Sequence, residues 1–194
     1  MLYRSRILFA LSVGLVAASS HAIDFGTTAF IDGTVYTIGA AGSPVQRLGD
    51  SLSFSLPNAI ALSGSKTVTL QYGVTASPGF VITTATEFGT GQTTNSATAN
   101  FATTFTSGSI TETSGQNNTG GSNAFAPYTH VFTNARSFWN PVTTTLNLTA
   151  NNGLAKTSAY TANYTEAVPE PLSLAVLATG FVGLLARRRK GANS

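Results

Sequence analysis

The segment Lys66–Ala76, KTVTLQYGVTA, decides the fold class because its apolar and polar side chains alternate strictly. From Val68 to Ala76, apolar residues occupy every second position, with threonine, glutamine or glycine between them. A period of two residues is typical of a β-strand with one buried face. We therefore predict a half-buried strand whose inner face carries Val68, Leu70, Tyr72 and Val74.

The same alternation recurs along the chain between turn-forming residues. Ser51–Leu56 predicts a second strand that ends at Pro57–Asn58. The segment YTHVFT predicts a third, with Val131 on one face. Its other face would carry Tyr128, His130 and Phe132, and we interpret His130 as a strand residue rather than a catalytic base.

Two hairpins are also predicted. Asp32-Gly33 within Thr27–Gly39 is a type I′ turn signal between two alternating runs. Asn151–Gly153 is a second turn signal, and it predicts that Val142–Ala150 pairs with Leu154–Thr165.

The intervening polar stretches Gly89–Asn100 and Thr111–Pro127 are rich in glycine, asparagine and threonine, and we interpret them as long loops or a poorly ordered connection. No part of residues 23–166 shows a long apolar period of 3.6 residues. Many short strands separated by turns predict an all-β fold, an antiparallel β-sandwich of the jelly-roll or Ig-like type.

The first 22 residues have the three regions of a secretory signal peptide. Arg4 and Arg6 supply positive charge, Ile7–Ala18 is apolar apart from Ser12, and a small-residue site ends at Ala22. About 12 residues are too few to cross a bilayer comfortably. We therefore predict export, with signal peptidase cleaving after Ala22.

A second apolar segment, Leu172–Ala186, carries no charge and lies between Val168–Pro171 and a basic cluster. As a helix it would be about 22 Å long, and local thinning of the bilayer would allow it to span. The two prolines favour an extended, accessible peptide before it. We predict a single transmembrane helix over residues 172–186, retained by a cytoplasmic stop at Arg187, Arg188, Arg189 and Lys190.

This tail resembles the PEP-CTERM sorting signal of exported proteins of Gram-negative bacteria. The resemblance covers about residues 167–190 and rests on the motif Val168, Pro169, Glu170 and Pro171, the glycine-containing apolar run and the basic cluster. It implies recognition near the motif by an exosortase, an integral-membrane cysteine protease. It also implies association with an exopolysaccharide or biofilm export system.

These segments divide the chain into a signal peptide (1–22), a β domain (23–166), a sorting tail (167–190) and a short end (191–194). We expect the protein to reside transiently in the cytoplasmic membrane and then at the cell surface or outside the cell. Because such tails occur on unrelated domains, the tail indicates a location and not an activity.

The charge distribution argues against nucleic-acid binding. The whole chain has a formal net charge of +3, but residues 23–166 carry six acidic and four basic side chains, a net charge of −2. The excess positive charge therefore belongs to the two targeting segments, and no basic patch remains for nucleic acid. The chain has no cysteine, which excludes disulfides, zinc–thiolate sites and cysteine nucleophiles.

The titratable residues predict no enzyme. His130 is the only histidine after Ala22, there is no G-x-S-x-G motif, and the acidic residues are scattered. We therefore expect no cofactor. Calcium is an alternative, because aspartates at positions 24, 32 and 50 would supply oxygen ligands if they met at a sandwich edge.

The function predicted for the β domain is that of a non-enzymatic surface or extracellular-matrix protein. One alternative is a carbohydrate-binding module that contacts the exopolysaccharide through Tyr128 and Trp139, although a domain's only tryptophan is more often in the core. Another is an adhesive subunit that self-associates through exposed sheet edges.

Overall fold

The computed structural model describes residues 22–119 and 125–169. Apart from Ala22 and residues 167–169, the predicted signal peptide and the predicted sorting tail lie outside the described residues. This holds for Glu170, Pro171, the predicted helix 172–186 and the basic cluster 187–190. Within them, no helix has the length and apolarity that crossing a bilayer requires.

The described residues form eleven β-strands in two antiparallel sheets, which confirms the predicted all-β sandwich. The strands are β1 (Thr28–Ile31), β2 (Thr34–Thr37), β3 (Val45–Leu48), β4 (Ser51–Ala61), β5 (Gly64–Thr75), β6 (Val81–Thr93), β7 (Thr98–Ser107), β8 (Ile110–Thr119), β9 (Phe125–Arg136), β10 (Phe138–Ala150) and β11 (Ala155–Ala167). The six-stranded sheet has the order β2-β1-β5-β10-β7-β8, and the five-stranded sheet has the order β3-β4-β11-β6-β9.

The core lies between the two sheets and is built from alternate residues of the long strands. In β5 the four apolar residues predicted to face inward are all buried, whereas threonine, glutamine and glycine occupy the outer face. Burial of one face per strand stabilises the sandwich through the hydrophobic effect. The largest fully buried side chains include Trp139, Tyr160, Tyr164, Phe25, Phe54, Phe101 and Phe105.

The first predicted hairpin is confirmed. β1 pairs with β2, and Ile31 lies opposite Thr34. Asp32 and Gly33 both have positive φ, 49° and 78°, as a type I′ turn requires at its two central positions.

The second predicted hairpin is wrong, because β10 and β11 belong to different sheets. β10 pairs with β5 and β7, whereas β11 pairs with β4 and β6. The turn at Asn151–Gly153 exists, but it carries the chain from one sheet to the other. Both β10 and β11 are therefore central strands, each paired with a neighbour on both sides, and they do not pair with each other.

The predicted end of a strand at Pro57–Asn58 is also wrong, since β4 continues to Ala61. Its pairing with β11 is irregular there: Ser55 lies opposite Ala159 and Ala59 opposite Thr157. The three residues between them oppose only one residue of β11, so Pro57 lies in a bulge. A bulge tolerates proline because its missing N–H breaks no ladder hydrogen bond.

The predicted loops at Gly89–Asn100 and Thr111–Pro127 are largely strands. The first contains the end of β6 and the start of β7, and the second contains most of β8 and the start of β9. Their threonines favour extended backbone. Gly115 suits the pairing of β8 with β7, because an added Cβ would lie 2.9 Å from the Phe101 carbonyl oxygen.

Candidate functional site

The predicted sorting motif begins directly after the last strand, β11. Ala167, the end of β11, is still paired with Val81 of β6. The next residue, Val168, is 45% exposed, and with Pro169 it lines a groove of about 440 Å³ beside Phe132. The first two residues of the motif therefore follow the sheet without a spacer.

Trp139 does not form the predicted sugar-stacking surface. It is 0% exposed, and its ring stacks on Phe132 with the centroids 4.7 Å apart and meets Phe105 edge-on. Its neighbour Phe138 is the exposed residue of the pair. The prediction for Trp139 is corrected: the register of β10 shifts between Trp139 and Val142, and this irregularity places the Trp139 ring in the core with Val142.

Tyr128, the other predicted sugar contact, lies on the edge strand β9 and is 39% exposed. Its ring meets Phe101 edge-on, with the centroids 6.5 Å apart. Since Trp139 is enclosed by the core, the two side chains present no common surface to a ligand.

Each of the three aspartates considered for calcium accepts a hydrogen bond from a backbone N–H group. Asp50 accepts a hydrogen bond from the Ile23 N–H (3.1 Å), and Asp24 accepts one from the Gly26 N–H (2.9 Å). Asp32 accepts one from the Thr69 N–H (2.7 Å). Across residues 22–119 and 125–169, no three acidic or histidine side chains form a group that would hold a metal.

Glu112 and His130 close one side of the sandwich, where β8 and β9 are the edge strands of the two sheets. The His130 imidazole Nε2 lies 3.1 Å from Glu112 Oε2. The backbone N–H groups of Thr133 and Asn134 donate to the same carboxylate at 2.9 and 2.7 Å. Burial opposes ionisation, but the hydrogen bonds from Asn134, Thr133 and His130 outweigh it and lower the pKa of Glu112.

A cluster of polar side chains is buried between the sheets around Glu87, which is fully enclosed. Its Oε1 accepts hydrogen bonds from the hydroxyls of Thr103 and Tyr160, and Thr144 bonds to Thr103 at 3.0 Å. Glu87 was not predicted from the sequence, because the residues beside it, Thr86 and Phe88, do not indicate that Glu87 faces the core.

Burial raises the pKa of the nearby tyrosines, and the Glu87 carboxylate raises it further at Tyr72 and Tyr160. Tyr164 is affected by burial first, then by Tyr72 and Glu87. The cluster is enclosed between the sheets, so its role is to join them rather than to meet a ligand.

A polar groove of about 490 Å³ lies on the outer face of the six-stranded sheet, above Gly73 of β5. Phe30 of β1 and Asn140 of β10 stand on either side of it, and Gln71 forms part of its floor. A Cβ at Gly73 would lie 3.4 Å from Asn140 Cγ. The Asn140 carboxamide therefore packs directly against the backbone of Gly73, and the groove is also lined by Asp24, Thr28 and Thr75.

Comparison with known proteins identifies no family for this chain. No family model matches the chain, and no curated protein matches it. Among solved structures, the chain is similar to TmCBM61, described in complex with β-1,4-galactotriose, at 12% sequence identity and a TM-score of 0.34. The match covers 78% of this chain and 90% of that one. A TM-score at this level supports no inference about ligand or mechanism.

Proposed function

We propose that this protein is an exported, non-enzymatic component of the cell surface or extracellular matrix, sorted and processed through its C-terminal tail. The observation that carries the proposal is the order of three elements after β11: the motif 168–171, the apolar run 172–186 and the basic cluster 187–190. An exosortase-type protease is the partner for this tail, and signal peptidase acts at Ala22.

The end of β11 supports access of a protease to the motif. Proteases bind their substrates in extended form, and the prolines at 169 and 171 disfavour helix. Val168, directly after the last paired residue, is 45% exposed. Processing near Pro169–Pro171 would therefore leave the sandwich intact.

The acidic side chains support a non-enzymatic role, because each one forms a contact within the domain. Glu166 accepts a hydrogen bond from the Ser77 N–H at 2.7 Å, and Glu112 and Glu87 bind the groups described above. Paired carboxylates for hydrolysis require two acids that face a shared substrate, whereas these acids hold turns, edges and the core together.

The strand order supports the jelly-roll type of sandwich over the Ig-like type. From β4 onward, one sheet contains β4-β11-β6-β9 and the other contains β5-β10-β7-β8. Within these eight strands, consecutive strands lie in different sheets except for β7 and β8, which form a hairpin. Eight strands arranged in this way form the two interlocked Greek keys of a jelly roll.

The test is the intact mass of the protein recovered from the cell surface or medium, compared with that from the membrane fraction. We expect a surface form that begins at Ile23 and ends near Pro169–Pro171. Alanine at positions 169, 170 and 171 should cause an unprocessed, membrane-retained form to accumulate. A matched control carries Gly191→Ala, Asn193→Ala and Ser194→Ala, which change the tail beyond the basic cluster.

Processing of the control at the wild-type rate, with failure of the motif variant, supports the proposal. A surface form that retains Lys190 contradicts it, since the tail would then be a plain membrane anchor. Unchanged processing of the motif variant also contradicts it.

A further inference from the structure

The groove above Gly73 is formed by side chains on the outer face of the six-stranded sheet. In β5, Tyr72 and Val74 are buried, so Gly73 between them faces outward. Phe30 lies opposite Gln71 in the pairing of β1 with β5, which places both on the same outer face. The Phe30 ring therefore forms a wall of the groove, and because Gly73 has no side chain, the Asn140 carboxamide can lie close to the β5 backbone.

The chemistry of the groove combines one partly exposed aromatic ring, Phe30, with amide and hydroxyl groups, whereas the other two aromatic residues of the lining, Phe25 and Tyr72, are buried. Gln71 and Asn140 contribute carboxamides, which donate and accept hydrogen bonds. Thr28 and Thr75 contribute hydroxyls, and Asp24 contributes the one charged group of the lining. A pyranose ring has an apolar C–H face and a rim of hydroxyls, so it matches an aromatic wall surrounded by such groups.

Uncharged side chains extend from the groove across the strands β5, β10, β7 and β8. Following the strand register across the sheet, Gln71 lies opposite Thr143, Thr143 opposite Thr104, and Thr104 opposite Thr113. The next row contains Thr69, Thr145 and Ala102. Because hydroxyls and small side chains continue beyond the groove, an extended chain of sugars would find hydrogen-bonding groups along its length.

We propose that the groove formed by Phe30, Gln71, Gly73 and Asn140 binds a neutral polysaccharide, with Phe30 stacking on one pyranose ring and the two carboxamides binding its hydroxyls. The choice of a polysaccharide partner rests on the proposed surface location, whereas the groove does not depend on it. This site differs from the pair Tyr128 and Trp139 predicted from the sequence.

The test uses the full chain purified in detergent from the membrane fraction, so that it does not depend on tail processing. Binding is measured by calorimetry against neutral β-linked gluco-, galacto- and manno-hexaoses, with polygalacturonate as an acidic polymer. We expect at least one neutral hexaose to bind, and Phe30→Ala to weaken that binding about ten-fold or more.

Gly73→Leu tests the groove by adding a side chain to it beside Asn140. Its side chain should fill the depression and abolish binding, and the fold should tolerate it because the new Cβ lies at an ordinary contact distance from Asn140. Tyr128→Ala is the matched control, since Tyr128 is an exposed aromatic residue of the other sheet.

Loss of binding in Gly73→Leu with normal binding in Tyr128→Ala supports the proposal. The proposal is overturned if no neutral hexaose binds, if only polygalacturonate binds, or if Tyr128→Ala abolishes binding while Gly73→Leu does not. If tail processing fails but this binding is observed, only the proposed sorting is wrong.

Discussion

The phenol hydroxyls of Tyr72 and Tyr164 lie 2.7 Å apart in the core and share a hydrogen bond that joins the two sheets. Tyr72 belongs to β5 of the six-stranded sheet, and Tyr164 belongs to β11 of the other. Their rings also meet edge-on, with the centroids 6.4 Å apart. Together with Tyr160, they place three phenols where ionisation is strongly disfavoured.

We therefore predict that the protein loses stability at alkaline pH. Burial, reinforced by nearby charge, raises the pKa of Tyr72, Tyr160 and Tyr164, whereas tyrosines of the unfolded chain ionise near pH 10. Stability is thus fully present below about pH 10 and falls as the pH rises further, by up to about 1.4 kcal/mol per pH unit for each buried tyrosine. Urea unfolding between pH 8 and 12 measures this slope.

Tyr164→Phe provides the control, because it removes one of the three buried phenols. Its unfolding free energy should decline less steeply above pH 10 than that of the wild type, by about a third of the slope. Equal slopes in the two proteins, or absorbance at 295 nm that shows all tyrosines ionising before unfolding, would contradict this prediction.

A second prediction concerns Glu87, whose contacts are hydroxyl groups that carry no positive charge. Glu87→Gln keeps an acceptor oxygen for Thr103 and Tyr160 and cannot ionise, so its unfolding free energy should lie within about 1 kcal/mol of the wild type. Glu87→Ala removes the acceptor and leaves a cavity, and should cost about 2–4 kcal/mol. Urea unfolding of both variants at pH 7 tests the contrast, and equal losses in the two would contradict it.

The features predicted correctly from the sequence are those that depend on residues adjacent in the chain. The alternation in Lys66–Ala76 gave β5, and Asp32-Gly33 gave the β1–β2 hairpin, because strand period and turn type are properties of adjacent residues. The sheet assignment of β10 and β11 was missed. It depends on pairing with strands far away in sequence, which leaves no local trace.

The candidate sites also differ in whether their residues are adjacent in the sequence. The groove brings together Phe30, Gly73 and Asn140 from three separate strands, and nothing in their immediate sequence marks them as neighbours. Whether the Trp139 ring faces the core or solvent could not be predicted from the alternation, because the register of β10 shifts between Trp139 and Val142. The sorting motif was recognisable because its parts are contiguous, and its role remains a prediction.

A third prediction concerns acid pH at the edge held by Glu112. Because the folded-state pKa of Glu112 is lowered, its contribution to stability is present above the ordinary carboxyl pKa of about 4.3 and is lost as the pH falls through the lower folded value. The Thr133 and Asn134 amides, which donate to this carboxylate, should lose protection from hydrogen exchange at that point.

Glu112→Gln should abolish this acid-dependent step and expose both amides to faster exchange already at pH 7, since hydrogen bonds to a charged acceptor contribute about 1.5–3 kcal/mol. Glu166→Gln is the matched control, because Glu166 also binds a backbone N–H but at Ser77. Identical exchange at Thr133 and Asn134 in wild type and Glu112→Gln would contradict the proposed role.

The last prediction concerns Gly153, in the connection that carries the chain from β10 to β11. A Cβ at this position would lie 2.3 Å from the Thr94 carbonyl oxygen, and the adjacent Leu154 N–H donates to Thr94 Oγ1 at 2.8 Å. Gly153→Ala must therefore displace backbone on both sides of the connection, and we expect a loss of about 2–3 kcal/mol in unfolding free energy.

Gly39→Ala separates this steric effect from a general cost of replacing glycine. Gly39 has a positive φ of 74° but open space around the position of a Cβ, so alanine there should cost only about 1–2 kcal/mol of backbone strain. Urea unfolding of both variants at pH 7 gives the comparison. A smaller loss in Gly153→Ala than in Gly39→Ala would contradict the close approach of Gly153 to the Thr94 carbonyl oxygen.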